Sequence, residues 1–253
     1  MIRIAMVAVI LIGFLVFSYP LLLAEKRAAK TDPHRQMEHS QGIVKKVFTL
    51  LLKVSGVEVT VKGLENIPEG AVLYVGNHQS YYDILLGYTT VPGLVGFVAK
   101  KEMLRWPLLS DWMVLVNCLF LDRENLKEGL KTILQGIDKI RDGISVWIFP
   151  EGTRNESRDP LELMQFREGS LKIAEKSGCP VVPVAIIGTP DVFENHIPFV
   201  RPAQVTIQYG KPFYVKELPP EARKRPGAYT RELIIEMLKE ENGYKISALT
   251  YPG

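Results

Sequence analysis

Seven short runs of apolar, β-branched and aromatic residues recur along the chain after residue 56. In order they are VEVTVKG, AVLYVG, LVGFVA, VNCLFLD, ISVWIFP, PVVPVAIIG and AQVTIQYG. Most of them are continuously apolar, as strands covered on both faces are. Helical periodicity lies between several of them, at about 83–90, 107–114, 125–141 and 168–177, and in a last segment at about 228–241. This alternation predicts an α/β domain over residues 57–253, with a mixed, largely parallel sheet flanked by helices.

The first 56 residues have a different pattern. Residues 4–23 contain no charged residue, and as one helix they would be about 30 Å long, which is the thickness of the hydrocarbon core of a bilayer. Pro20 is expected to kink this helix near its end. A signal peptide is one alternative, although its apolar region usually has only ~7–15 residues. A core helix is another, although core helices usually show a polar stripe.

Residues 40–55 form a second helical pattern, with Lys45, Lys46 and Lys53 on one side and apolar residues on a wider arc. This pattern fits an interfacial helix on an anionic bilayer. It fits equally a helix packed on the domain's own core. The neighbouring apolar run favours an N-terminal membrane-associated helical hairpin over residues 1–56. Its interfacial face would comprise Ile43, Val47, Leu50, Leu51 and Val54.

Basic residues also predict an orientation. They follow the apolar run at Lys26, Arg27, Lys30 and Arg35, whereas only Arg3 and the amino terminus precede it. The positive-inside rule then places residues 57–253 on the cytoplasmic face of the cell membrane. The overall charge is little guide to binding partners. A net charge of +3 is too small to indicate a particular partner, and it gives no reason to expect nucleic acid. Cys118 and Cys179 lie in apolar runs, which predicts free thiols in a reducing compartment.

Polar motifs come directly after four of the predicted strands. They are NHQSYYD (77–83), AKKEMLRWP (99–107), LDRE (121–124) and FPEGTRN (149–155). In open α/β sheets, ligands bind beyond the carboxyl ends of the strands. The four motifs together predict a basic rim around a histidine, which suits an anionic substrate that bears a phosphate.

The first motif contains a histidine and an aspartate that could form a pair. On one continuous helix, His78 and Asp83 would point about 140° apart. They can meet if His78 lies in a loop and Asp83 in the first turn of the next helix. Ser80 is a good N-cap, and with Asp83 it makes a capping-box pattern. Capping is therefore an ordinary alternative role for Asp83, and this motif alone indicates catalysis only weakly.

The motif at 149–155 combines four kinds of group in one turn. Gly152 permits a positive φ or a close backbone approach, and Thr153 supplies a hydroxyl. Arg154 offers a planar fork suited to phosphate or carboxylate, and Glu151 is a charge at the strand end. A surface turn with a Glu–Arg pair is the alternative. The combination of all four after an apolar strand favours a binding site.

With these motifs, the sequence resembles the glycerolipid acyltransferases, most closely the bacterial 1-acyl-sn-glycerol-3-phosphate acyltransferases. The resemblance extends from the N-terminus to about residue 210. The N-H-x4-D block corresponds to His78 and Asp83, and F-P-E-G-T-R is matched letter for letter at 149–154. A second block runs from Lys100 to Arg123, and the fourth is V-P-V at 182–184. Two departures are Met103, where Leu is usual, and Asn155, where Ser is usual.

The resemblance implies a reaction and a set of roles. An acyl group would pass from acyl-CoA or acyl carrier protein, a co-substrate, to the sn-2 hydroxyl of 1-acyl-sn-glycerol-3-phosphate, forming phosphatidic acid. His78 would be the general base and Asp83 its orienting carboxylate, with no acyl-enzyme. The sequence does not identify the donors that would stabilise the oxyanion, and the backbone near residues 77–80 is one hypothesis. The phosphate would bind Lys100, Arg123 and Arg154, in a pocket shaped by Glu151 and Gly152. Thr153 is a further candidate substrate-binding residue.

Several alternatives to this interpretation remain open. The acceptor could be another lysophospholipid, or the chain could be a non-catalytic membrane lipid-binding protein of the same fold. A metal-dependent hydrolase is disfavoured because the four histidines show no H-x3-H or H-E-x-x-H spacing. We therefore expect no metal and no cofactor. The expected partners are membrane lipids, including lysophosphatidate and anionic phospholipid, and the acyl donor; the sequence predicts no oligomeric state.

Overall fold

The computed structural model describes residues 1–241; residues 242–253 of the predicted α/β domain lie outside the described residues. The α-helices are α1 (Ile2–Phe17), α2 (Tyr19–Ala28), α3 (Pro33–Ser55), α4 (Tyr82–Thr90), α5 (Leu109–Leu115), α6 (Leu126–Arg141), α7 (Lys172–Ser177), α8 (Pro220–Lys224) and α9 (Pro226–Glu241). The strands are β1 (Val57–Lys62), β2 (Leu73–Gly76), β3 (Val95–Lys100), β4 (Leu119–Leu121), β5 (Ser145–Ile148), β6 (Val181–Ile187) and β7 (Ala203–Tyr209). Each of the seven apolar runs forms a strand.

The strands form one sheet in the order β1-β7-β6-β2-β5-β3-β4. All neighbouring pairs are parallel except β6 and β7, which are antiparallel. The predicted mixed, largely parallel sheet is therefore confirmed. Its four strands β2, β5, β3 and β4 are consecutive neighbours, so their carboxyl ends lie along one edge.

Helices cover both faces of this sheet. Successive residues of a strand point to opposite faces, so Tyr74 packs with residues of α3, α4 and α5, while Leu73 and Val75 pack with residues of α6, α7 and α9. Burial on both faces explains why β2 and β5 consist of buried residues throughout. Cys118 and Cys179 are free, and burial raises the pKa of both thiols.

The N-terminal apolar run does not form the single helix that was predicted over residues 4–23. It breaks at Ser18, which ends α1 and precedes α2, and Pro20 lies in the first turn of α2, where a missing N–H costs nothing. Within residues 1–241, no one helix is long and apolar enough to cross a membrane. By length and composition, α1 and α2 together pass that test as a pair bent by 53°.

Helix α3 is longer than the predicted segment and packs on the core. It begins after Asp32, whose carboxylate accepts the Arg35 N–H, and ends at Gly56, which adopts a left-handed φ of 75°. Leu51 is only 4% exposed, so its predicted place in a bilayer interface is wrong. Lys45 is also not free among headgroups: its Nζ donates to the Val91 carbonyl at 2.8 Å, and burial lowers its pKa. Membrane contact by the rest of this hairpin stays a prediction.

Candidate active site

The four polar motifs of the sequence lie at one edge of the sheet. They follow β2, β5, β3 and β4, which are adjacent and parallel. The chain reaches this edge at His78, Glu151, Lys101 and Asp122, each one or more residues beyond its strand. The alternation of strands and helices therefore creates the cluster, since each strand delivers the residues that follow it to the same place.

His78 and Asp83 meet as the sequence suggested. His78 lies in the loop after β2 and Asp83 in the first turn of α4. The His78 Nδ1 is 2.8 Å from Asp83 Oδ2, and the side chains are 14% and 1% exposed. The same Oδ2 accepts the backbone N–H groups of Gln79 and Ser80, both at 2.8 Å. The helix has Tyr81 at its N-cap and not the predicted Ser80, but one oxygen of Asp83 still bonds both the two preceding backbone N–H groups and His78.

A further donor completes the surroundings of this carboxylate. The Thr189 hydroxyl donates to Asp83 Oδ1 at 2.6 Å, and Thr189 is buried. It lies in a 3-10 turn that follows β6. Every bond to the carboxylate is one that an ionised Asp accepts, so Asp83 is fixed by donors from two segments, the loop after β2 and the turn after β6.

This arrangement fixes the histidine as well. Because a carboxylate can only accept, the hydrogen bond assigns the proton to His78 Nδ1 and leaves Nε2 with a free lone pair. The imidazole stacks on the Phe149 ring, with centroids 4.1 Å apart and planes at 12°. A ring held at its Nδ1 and on one face, with Nε2 basic, has the geometry that a general base requires.

Glu151 ties the loop that holds His78 to the segment after β5. Its Oε1 accepts the His78 N–H at 2.8 Å, and its Oε2 accepts the Met164 N–H at 3.0 Å. Glu151 is 3% exposed, and burial raises its pKa. The Asn155 N–H also donates to the His78 carbonyl at 2.7 Å. Glu151 therefore shapes the site indirectly, because it holds the backbone of His78 and not its imidazole ring.

The backbone near residues 77–80 does not offer the oxyanion donors that were expected there. The N–H of His78 is bonded to Glu151, and those of Gln79 and Ser80 are bonded to Asp83. All three are directed at carboxylates within the protein. That expectation is wrong for residues 78–80.

Arg154 has partners inside the protein. Its Nη1 lies 3.1 Å from Glu194 Oε1, and its guanidinium lies 3.8 Å from the centroid of the Tyr81 ring. Glu194 also accepts the Ser80 hydroxyl at 2.7 Å and the Tyr81 N–H at 2.9 Å. Arg154 thus belongs to a network that braces the start of α4.

The remaining predicted residues differ in their exposure. Lys100 and Thr153 are exposed, while the neighbouring Lys101 pairs with Asp122 at 2.7 Å. Gly152 has φ of 81°, which disfavours any residue with a Cβ. Burial and, next, the positive charge of Arg167 lower the pKa of Arg123.

Sequence reasoning missed four residues of this site: Asn77, Arg167, Thr189 and Glu194. Asn77 exchanges two hydrogen bonds with the Ile186 backbone, at 2.9 and 2.8 Å, and so extends the pairing of β2 with β6. The only sequence signal for Asn77 and Thr189 is a polar residue just after an apolar strand. Among residues 1–241, no group of three or more His, Cys, Asp or Glu is placed to hold a metal ion.

A known protein family matches the part of the chain that holds most of this site. Residues 58–187, slightly more than half of the chain, match the Acyltransferase family. The chain belongs to that family. The match begins within β1 and ends with β6, so it includes His78, Asp83 and the whole segment from Glu151 to Arg154. The predicted family and the predicted enzyme class, an acyltransferase, are confirmed.

Individual relatives agree with the family. A probable 1-acyl-sn-glycerol-3-phosphate acyltransferase from Mycoplasma pneumoniae is 39% identical over 58% of this chain and 55% of its own length. The 1-acyl-sn-glycerol-3-phosphate acyltransferase of Saccharomyces cerevisiae is 28% identical over 79% of this chain and 67% of its own. The first match thus spans little more than half of that relative.

A solved structure matches over a longer range. The crystal structure of the 1-acyl-sn-glycerophosphate acyltransferase from Thermotoga maritima superposes with a TM-score of 0.79 at 26% identity. The match covers 98% of this chain and 97% of that one. The similarity therefore includes the N-terminal helices as well as the sheet.

Proposed function

We propose that this protein transfers an acyl group from an acyl thioester to the sn-2 hydroxyl of 1-acyl-sn-glycerol-3-phosphate, forming phosphatidic acid. The observation that carries the proposal is the His78–Asp83 pair, 2.8 Å apart, at a sheet edge that also bears Lys100, Arg123 and Arg154. The names of the relatives support the acceptor. Acyl-CoA and acyl carrier protein are the two candidate donors.

The reaction needs one base. His78 Nε2 accepts the proton of the substrate hydroxyl as its oxygen attacks the thioester carbonyl, and Asp83 stabilises the imidazolium. The tetrahedral intermediate then collapses, the carbon–sulfur bond breaks, and the thiolate takes the proton from the imidazolium. The substrate alcohol is itself the nucleophile, so no acyl-enzyme forms. A protein that only binds lipid has no use for such a base.

The acceptor phosphate binds at the basic rim. Lys100, Arg123 and Arg154 supply positive charge there, and Gly152 and Thr153 lie in the turn directly before Arg154. Glu151 contributes through the position of His78. Arg154 also holds the Tyr81 ring and Glu194, so a phosphate that binds this arginine shares it with a carboxylate.

The substrates also indicate a location. Both are amphiphiles, and each methylene taken into water costs about 0.8 kcal/mol. We therefore place the protein at the cell membrane, near anionic phospholipid, with the sheet edge that holds His78 close to the bilayer and the α/β domain on the cytoplasmic face.

The test is a product assay on the purified full-length protein. Lysophosphatidate is offered with acyl-CoA and, separately, with acyl carrier protein loaded with the same acyl chain, and other lysophospholipids are offered in parallel. We expect phosphatidic acid from lysophosphatidate with at least one donor. Faster acylation of another lysophospholipid would assign a different acceptor, and binding of lysophosphatidate without turnover would favour a lipid-binding protein.

A further inference from the structure

Two arginines at the site differ from Arg154 in having no partner. The side chains of Arg123 and Arg167 make no hydrogen bond or ion pair with any residue of the described chain. The Nε of Arg123 is buried and unpaired. Buried polar groups are nearly always bonded, so a buried guanidinium nitrogen without an acceptor calls for a ligand that supplies one.

The two guanidinium groups converge on Gly152. A Cβ at this glycine would lie 3.1 Å from Arg167 Nε and 3.4 Å from Arg123 Nη1. Both guanidinium groups therefore lie against the Gly152 backbone, where even a Cβ would be crowded, with Arg123 half-buried and Arg167 exposed. The positive charge of Arg167 repels that of Arg123. Glu102 attracts Arg123, but its effect on the pKa of Arg123 is smaller than that of Arg167. An anion that bridges the two guanidinium groups on their solvent side would relieve the repulsion and satisfy the unpaired donors.

We propose that Arg167 binds the terminal phosphate of the acyl acceptor together with Arg123, and that it sets a preference for a phosphate monoester over an esterified headgroup. The proposal rests on the acyl transfer proposed above and names a specificity residue for it. Arg167 lies outside the four sequence motifs, in the segment between β5 and α7.

Charge and shape both favour a monoester. A phosphate monoester carries nearly two negative charges at neutral pH, because its second pKa is about 6, and has three free oxygens for two forked guanidiniums. A phosphodiester has one charge and an oxygen that bears the headgroup. Two arginines that meet at a glycine thus match the charge of lysophosphatidate, whereas a diester leaves one positive charge of the pair uncompensated.

The position also suits the chemistry. Gly152 directly follows Glu151, whose Oε1 lies 2.8 Å from the His78 N–H. In the acceptor, the phosphate is attached to the carbon next to the one that bears the reacting hydroxyl. A phosphate near Gly152 therefore brings that hydroxyl to the neighbourhood of His78.

The experiment compares Arg167→Gln with Arg158→Gln in the full-length protein. Arg158 is an exposed arginine of the same segment, so the control removes an equal charge nearby. Arg167→Gln keeps the backbone bond from its N–H to the Pro150 carbonyl. We expect its KM for lysophosphatidate to rise at least tenfold, its donor KM to stay unchanged, and its ratio of kcat/KM for lysophosphatidate over lysophosphatidylglycerol to fall at least tenfold. Arg158→Gln should match the wild type, and Arg167→Lys should be intermediate.

A binding measurement separates this proposal from the proposed function. Titration calorimetry with glycerol 3-phosphate needs no turnover, and its Kd should rise at least tenfold in Arg167→Gln and not in Arg158→Gln. Equal behaviour of the two variants would overturn the proposal, as would an equal loss with both acceptors, which marks a structural role. If the wild type acylates no lysolipid, the proposed function fails while the calorimetric difference still reports on Arg167.

Discussion

Among single residues, His78 has the two properties that a general base needs, a fixed tautomer and a free Nε2. His78→Ala should therefore lower kcat by at least ~10²-fold, while the protein stays folded, because Asp83 Oδ2 keeps the Gln79 and Ser80 N–H donors. Steady-state kinetics and thermal unfolding measure the two effects. The exposed His34 provides a matched control, and His34→Ala should retain full activity. Near-wild-type turnover by His78→Ala would exclude the base mechanism.

Thr189 bonds the carboxylate oxygen of Asp83 that His78 does not contact. It is the donor to Asp83 Oδ1, so Thr189→Val leaves a buried carboxylate oxygen unpaired in nearly the same volume. An unsatisfied buried group costs about 1–3 kcal/mol, and we expect a loss of stability of that size in denaturant unfolding. The kcat should fall with little change in either KM. Thr189→Ser restores the hydroxyl and should recover most of both, whereas a Ser variant as impaired as Val would mean that the methyl group matters instead.

The residues that could be predicted from sequence are those that act locally. His78 and Asp83 are five positions apart at a strand end, so a loop and a capped helix suffice to join them. Thr189 and Glu194 reach the same loop across separations of 106 and 114 residues. Their contacts depend on β2 pairing with β6, and no short pattern encodes that pairing. Arg167 could not be predicted for the same reason. Its neighbour Arg123 follows β4, whereas Arg167 lies between β5 and α7, so only the folded sheet brings them together.

At the scale of elements, Glu151 joins two segments that the sheet alone would leave separate. It accepts one N–H from the loop after β2 and one from Met164. In Glu151→Gln, one acceptor oxygen becomes an NH₂ group that cannot accept, so one buried N–H loses its partner. We expect a stability loss of about 1–3 kcal/mol and a lower kcat.

The comparison that isolates this clamp is with Glu156→Gln, an exposed carboxylate of the same segment. Denaturant unfolding and single-turnover rates are measured for both variants. If Glu151→Gln is as stable and as active as Glu156→Gln, the clamp does not position His78.

Strands were more predictable than the N-terminal helices for a physical reason. A strand covered on both faces must be apolar throughout, and a short run of this kind between turn residues is typical of little else. An apolar helix is ambiguous, because it can face lipid or core. In α3, the sequence pattern left both open, and tertiary packing decided Leu51 and Lys45 in favour of the core. The break at Ser18 lies two residues before the predicted kink at Pro20, because proline is best placed in the first turn of a new helix.

At the scale of the whole molecule, helix α1 has one side packed on the domain and one exposed apolar side. One side of this helix packs on the domain, where Phe14 lies 5.1 Å from the Trp112 ring. The other side is apolar and open, with Val9, Ile12 and Val16 exposed by 71%, 60% and 53%. Contiguous exposed apolar surface marks a contact with a protein or a membrane. Because the substrates of the proposed reaction are amphiphiles, we expect a lipid surface.

The corresponding test replaces residues and avoids truncation, because deleting residues 1–56 would remove Leu51 and Leu52 from the core. A variant with Val9, Ile12 and Val16 changed to Glu should lose most of its flotation with liposomes, since each charge must then enter the bilayer at a cost of several kcal/mol. Its activity on detergent-dispersed substrate should be retained. The control changes Leu130 and Leu134 on α6, which are exposed by 56% and 53%, to Glu.

Electrostatics adds a second arm to the same experiment. If the membrane is anionic, Lys46 and Lys53 on the exposed side of α3 should each contribute about 1 kcal/mol, so their change to Glu should weaken flotation with anionic liposomes and leave neutral liposomes unaffected. Undiminished flotation of the α1 variant would place the membrane contact elsewhere, and loss of flotation in the α6 control would place it on α6. If only the lysine variant is unaffected, the hydrophobic contact through α1 stands and α3 makes no electrostatic contribution.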